Sequence, residues 1–444
     1  MDKTEQIIIN LIDEHRKEII SFAKDIFSHA ELGYKEFYAS SRFAGALKEK
    51  LSHVDEGLAI TGVKGYLNEE KKDNFSLALI GELDALRIPE YKYANPETGG
   101  AHCCGHHAQL AGVFGAFLAL ADDRVKEELG GEVIFFATPA EEYGEAEFKN
   151  SLMKEGKIRY GGGKCELIRI GAFDDVDAAV AHHISTTGLS VGSGTGNGFV
   201  AKVIKVEGRA SHAAAAPEKG INALEAATLG LQALAYYNKT FRDEDSVRVH
   251  PILTKGGDLV NVIPQEAVIE TLVRGKTIEA FTDAANKTDL SFKGGALALG
   301  AGYRIETSPG YLPTLPQSFP DELIDLVREA ANEEPRIVSE KEHSGGSTDV
   351  GDVQHLLPVY TFNTGGAKGG LHQTDFEITD EDKAYLLTAK IFALSAYRLL
   401  KDDAKLGREL RKQYKPVFKN KDEYTAFLEQ FRKVEEKKPG EERL

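Results

Sequence analysis

His102-Cys-Cys-Gly-His-His107 sets three imidazoles and two thiols in six residues, out of 13 His and 3 Cys in the whole chain. Thiolate sulfur and imidazole nitrogen are donors that borderline divalent metals favour. Cys104 and His106, two positions apart, can face one point because Gly105 relaxes the turn and the apolar residues that follow start a helix. Buried packing explains a single cysteine or histidine before a helix, but not this density of donors. The remaining cysteine, Cys165, is distant and no Cys-x-x-Cys pair exists. Neither a disulfide framework nor a zinc-finger pattern applies.

Further donors stand at the ends of apolar runs. Residues 75–80 lead into Glu82-Leu-Asp84, 133–137 into Pro139-Ala-Glu-Glu142, 177–181 into His182-His183, and 359–362 into a glycine-rich loop and His372. Open α/β sheets place their chemistry at such strand ends. Glu141 and Glu142 are neighbours and would diverge on a strand, so an irregular turn after Pro139 is needed if one is to bind metal while the other faces water. Of His182 and His183, only one can face the site.

The elements that position these groups alternate between helix and strand. Apolar spacing predicts a long amphipathic helix over 3–28, helices over 38–51, 109–121, 321–332 and 380–400, and buried strands between them. That alternation predicts an α/β catalytic domain with a mostly parallel sheet flanked by helices. Between 197 and 311 the texture changes after the glycine-rich joint 192–198. Strand 199–206, helix 221–237, strands 247–254 and 268–273, a helix from Lys276 and strand 303–307 follow. The order βαββαβ is that of a ferredoxin-like α+β unit. It reads as an insertion, dividing the chain into 1–196, 197–311 and 312–444. The tail from Lys401 is densely charged and reads as a surface helix with a frayed end.

With 444 residues and 42% hydrophobic content, two or three domains are expected. The formal charge of -16, from 54 Lys+Arg against 70 Asp+Glu, repels phosphate backbones and anionic lipid, which argues against nucleic acid and membrane partners. No signal-peptide pattern opens the chain, no stretch has transmembrane length and cysteines are few, so the cytoplasm is the expected location.

Phe27-Ser-His-Ala-Glu-Leu-Gly33, Glu82-Leu-Asp-Ala-Leu86, His102-Cys-Cys-Gly-His106, Pro139-Ala-Glu-Glu142, Gly208-Arg-Ala-Ser-His212, Asn261-Val-Ile-Pro264, Ser347-Thr-Asp349 and Leu371-His372 follow one another in a recognisable order. The chain resembles the amidohydrolase branch of the aminoacylase-like zinc metallopeptidases, which includes hippurate, auxin-conjugate and aminobenzoyl-glutamate hydrolases. The resemblance covers about residues 5 to 400. It implies two adjacent divalent ions, zinc, manganese or cobalt, held by Cys104, His106, Glu142, His183 and His372, with the Cys104 thiolate bridging them. It also implies Glu141 as proton shuttle, and His212, Asn261 and Arg274 as residues that reach the substrate from an inserted lid and dimerisation domain. In such relatives the histidine is commonly supplied to the neighbouring subunit of a homodimer.

The implied chemistry is cleavage of the amide bond of an N-acyl amino acid or related conjugate by a metal-activated water, with Glu141 as general base and then acid. His212, in a loop of small residues, suits an oxyanion, and Arg274 can clamp a free substrate carboxylate with two parallel hydrogen bonds. Asn261 reads equally as a ligand contact or an Asx turn. Asp84 and His107 read as groups orienting the metal ligands. His15, His53, His250, His343 and His355 read as surface or core histidines. Two departures stand out: His107 where relatives more often have Asp or Asn, and Gln109 where a His is common. The connection 143–160 is also longer and predicts a loop rimming the pocket. The alternatives are a dipeptidase acting on short peptides and a noncatalytic metal-binding relative; Glu141 beside a full ligand set argues for the enzyme.

Overall fold

Runs such as Leu77-Ala-Leu-Ile80 and Val133-Ile-Phe-Phe136 have no polar face to offer water, so as strands they must be covered on both sides. The structure, a computed structural model, describes residues 1–440 and shows how this is done. Along Ser76–Glu82, Leu77 and Leu79 enter one core while Ala78 and Ile80 enter another on the opposite face. The first core is closed by Lys3–Glu14, Arg16–Ser28, Phe37–Lys48, His106–Leu120, Asp321–Ala331 and Thr388–Gln413. The second is closed by the shorter helices Gly163–Arg169, Val350–Gln354 and Lys421–Glu429.

The sheet between them has eight strands in the order Val54–Leu58, Gly62–Leu67, Glu132–Thr138, Ser76–Glu82, Ala178–Ile184, Val359–Thr364, Ser190–Val191 and Arg336–Ile337. The four central strands, from Glu132–Thr138 to Val359–Thr364, are mutually parallel. The fold class is the predicted α/β arrangement, with helices on both faces.

A second sheet is wholly antiparallel. Glu266–Gly275 lies between Gly198–Glu207 and the broken edge formed by Arg248–Val249 and Ile252–Lys255, while Gly302–Pro309 borders the far side of Gly198–Glu207. Alternate residues of Glu266–Gly275, among them Ala267, Ile269 and Val273, are buried on the face that carries the helices Ala223–Tyr237 and Ile278–Ala298. Leu272 and Arg274 point to the other face.

Three local expectations differ. The first helix is interrupted at His15, where ψ is 8°, and its two halves, Lys3–Glu14 and Arg16–Ser28, both pack on His106–Leu120. The connection 143–160 contains the helix Ala146–Lys154. Among the described residues the charged tail is anchored: it holds the helix Lys421–Glu429, Tyr424 is fully buried and donates to Asp352 at 2.8 Å, and Lys433–Lys437 adds a strand to Gly302–Pro309, while the end of the tail expected to fray, 441–444, lies outside the described residues. The high charge of the tail hides a few apolar residues, Phe418, Tyr424, Phe427, Leu428 and Phe431, that suffice for one docking face.

Candidate active site

Because the central strands are parallel, Glu82, Glu141, Glu142 and His183 emerge at one edge of the sheet, and the loop after Val359–Thr364 returns His372 to the same place. Backbone geometry aims them. Gly105, with φ 85°, caps His106–Leu120; a Cβ there would lie 2.2 Å from Ile184 Cγ2, so only glycine fits. Ala140 (φ 49°) and His372 (φ 62°) adopt left-handed conformations that non-glycine residues seldom take. The turn at Ala140 is held by buried Glu36, which accepts from the Ala140 amide at 2.8 Å and from the Thr61 hydroxyl at 2.6 Å. This is the irregular turn that brings both neighbouring glutamates, which a regular strand would send to opposite faces, to the same cavity.

Cys104 Sγ lies 3.2 Å from His183 Nε2 and 3.2 Å from His372 Nε2. His372 Nε2 is in turn 3.1 Å from Glu142 Oε1. The donor atoms of Cys104, His106 and His183 lie within 4.8 Å of one another, and so do those of Cys104, Glu142 and His372. The thiol is common to both groups. Glu142 Oε1 is buried without a hydrogen bond, and the mixture of thiol, imidazole and carboxylate is a borderline-metal donor set. The residues therefore fit divalent metal ions.

Supporting hydrogen bonds orient these donors. His106 Nδ1 lies 2.9 Å from the Asp84 carbonyl and 3.2 Å from its carboxylate, which turns Nε2 into the cluster. Asp84 also accepts from the Glu142 amide at 2.8 Å. Burial opposes its charge, but the His106 hydrogen bond and charge and the Glu142 amide hold its carboxyl below the usual range. His183 Nδ1 is 2.8 Å from the Ile184 carbonyl, leaving Nε2 to face the thiol. His182 turns away, 2.7 Å from the Thr364 hydroxyl. Burial, and then the nearby Glu82 and Glu142 carboxylates, push the Glu141 carboxyl well above the usual range.

Several contributors escaped the sequence reading. Lys164, fully buried, donates at 2.6 Å to both Glu82 and Asp349. Glu82 also accepts from Gln109 Nε2 at 2.8 Å and lies 3.1 Å from His106 Nε2, grouping it with His106 and Glu141. Glu82, unlike Lys164, is among the donors that the sequence places at the end of an apolar run. Gly163, next to Lys164, permits the close approach that brings this helix in, since a Cβ there would lie 1.6 Å from the Pro139 carbonyl oxygen. Lys149, in the helix Ala146–Lys154, donates to the Glu142 carbonyl at 2.7 Å. Tyr311 donates to the Glu141 carbonyl.

Not every singled-out residue joins the cluster. His107 contacts Tyr385, at 3.3 Å from its hydroxyl, and the rings of Phe27 and His102. On a helix, it and His106 point in different directions. His212 and Asn261 are exposed neighbours, with the Ala213 amide donating to the Asn261 carbonyl, and neither lines the cavity over the cluster. That cavity, about 920 Å³, is lined by Glu141, Glu142, His183, His372 and Arg274, and also by His250 and His343, which had read as unremarkable.

The chain is similar to known proteins over most of its length. The model of Peptidase family M20/M25/M40 matches residues 78–398. Xaa-Arg dipeptidase of Mus musculus is 28% identical over 91% of this chain and 90% of its own length. One of the p-aminobenzoyl-glutamate hydrolase chains of Escherichia coli is 27% identical over 69% of this chain and 60% of its own. The crystal structure of a dinuclear metal-binding M20 peptidase from Bacillus subtilis superposes with a TM-score of 0.61 at 22% identity, covering 87% of this chain and 99% of that one.

Proposed function

The chain belongs to peptidase family M20/M25/M40, and from that premise we propose that its cavity hydrolyses the amide bond of an N-acyl amino acid or a related conjugate with a free carboxylate. It is a metal-dependent hydrolase of amide or peptide bonds. The observation that carries the narrower reading is the cluster itself, in which Cys104 is shared by two donor groups and Glu141 stands beside them in the same cavity as Arg274.

In this proposal Cys104, His106, Glu142, His183 and His372 hold two divalent ions. When bound, such ions supply positive charge that polarises an amide carbonyl and acidifies water. Glu141 takes a proton from the attacking water and returns it to the leaving nitrogen. Arg274, half-buried and over the Phe199 ring, receives the carboxylate of the amino-acid half. Asp84 orients His106 and the Glu142 backbone. The residue ranges 1–196, 197–311 and 312–444 belong to the same proposal, as does a cytoplasmic location. Among the described residues, no helix is long and apolar enough to cross a membrane.

His212 and Asn261 lie outside the cavity of their own chain, so they enter that of a second copy. Leu259 and fully exposed Val260 beside them suit burial in a homodimer interface formed through the second sheet and its helices. Mixing His212→Ala with Glu141→Gln subunits, each inactive alone, is expected to restore part of the activity after exchange. A monomer in light scattering, or no recovery in mixed dimers, would show that His212 does not work across subunits.

The reaction is tested with metal-stripped protein reloaded separately with zinc, manganese or cobalt and offered N-acyl amino acids and dipeptides. Turnover that requires metal and favours N-acyl amino acids is the expected result. Preference for dipeptides would select the second reading, which the near full-length similarity to a dipeptidase favours. Two metals bound with no turnover on either class would refute both.

A further inference from the structure

Arg248 and Arg274 stand directly opposite each other on neighbouring antiparallel strands. Opposed side chains leave the same face with Cβ atoms about 4.5–5.5 Å apart, and like charges there repel. Here, among the described residues, neither guanidinium has an acidic partner: Arg248 donates to the Val247 carbonyl at 2.8 Å, and Arg274 lies 5.6 Å from the centre of the Phe199 ring. The other arginine lining the cavity, Arg336, is already bound to Glu342.

The pair belongs to a row that begins at the reacting groups. Tyr311 donates to the Glu141 carbonyl, and its ring packs against Phe199 with centroids 4.6 Å apart. Phe199 is the partner of Arg274 across the next strand pair, and Arg248 is the partner of Arg274 on its other side. Phe199, Arg274 and Arg248 all line the cavity. His343 lines it too, with Nδ1 3.0 Å from the Thr195 hydroxyl and Nε2 buried without a hydrogen bond. Two unpaired cations thus stand one behind the other along a line leading away from Glu141, with the more buried one nearer the chemistry.

We infer that the amino-acid half of the substrate carries two acids, with Arg274 taking the α-carboxylate and Arg248 the side-chain carboxylate, so that the enzyme prefers conjugates of glutamate or aspartate. The inference rests on the proposed amidase reading. An α-carboxylate is one carbon from the scissile nitrogen and must use the inner arginine; an acidic side chain extends farther and meets the outer one. The side-chain charge also relieves the repulsion between two arginines that one monoanion leaves half-compensated.

The test compares kcat/KM for N-acyl-glutamate and N-acyl-glutamine bearing the same acyl group. The metal-loaded wild type is expected to prefer glutamate by about tenfold or more, and Arg248→Gln to lower that ratio by about the same factor. Arg274→Gln is expected to weaken both substrates. An unchanged ratio in Arg248→Gln, or equal loss on both substrates, would overturn the inference, the latter meaning that both arginines clamp one carboxylate. If the wild type hydrolyses neither, binding of the same two compounds to Glu141→Gln protein decides. Tighter binding of the glutamate compound supports the inference and places the failure in the amidase reading, whereas equal binding overturns the inference.

Discussion

Glu141→Gln is expected to lower turnover by about 10²- to 10⁴-fold, the usual contribution of a positioned general base, while metal content stays at the wild-type level. The side chains have nearly the same shape, so the change removes proton affinity and little else. Glu141 is buried, and burial together with Glu82 and Glu142 already disfavours its charge. Neutralising it should therefore not lower thermal stability. Metal analysis of the variant separates two roles, because Glu141 also falls within reach of Glu82 and His106. Loss of an ion together with activity would make Glu141 a ligand and sink its assignment as proton shuttle.

Lys164→Met is expected to cost about 3–5 kcal/mol of stability, the range for removing one partner of a buried ion pair. Lys164 is fully buried and bridges Glu82 and Asp349, each at 2.6 Å. Burial alone would favour a neutral amine, but the two carboxylates more than offset it and keep the ammonium charged. Without it, Glu82 and Asp349 are left buried with no cation between them. Chemical denaturation reads the cost directly. Combining Lys164→Met with Asp349→Asn should recover part of the loss, because one stranded charge is removed; an unchanged midpoint in the single variant would mean that the triad contributes nothing. Activity should fall as well, since Glu82 is 3.1 Å from His106 Nε2.

The ligand candidates were legible because their signals are local. A thiol and an imidazole around Gly105, and acids or imidazoles ending apolar runs, depend on nearby sequence and on a parallel sheet delivering strand ends to one edge. The inserted βαββαβ order was legible for the same reason, since each element announces itself by its own apolar period. The turn needed to bring Glu141 and Glu142 to one site was also foreseeable, but its agents were not: Ala140 takes a left-handed conformation and is held by Glu36, 104 positions away in sequence.

By itself, then, the sequence determined the α/β class, the donor chemistry and the strand ends that carry it, because periodicity and donor type are properties of short segments. Only the tertiary structure decided that Lys164 meets Glu82 and Asp349 across separations of 82 and 185 residues, that the charged tail docks through Tyr424, and that His212 stands outside its own cavity. It likewise decided that Arg248 stands beside Arg274. Such pairings depend on strand register and on how separate layers close over one another, and those are set by the summed packing of the whole chain rather than by any local pattern.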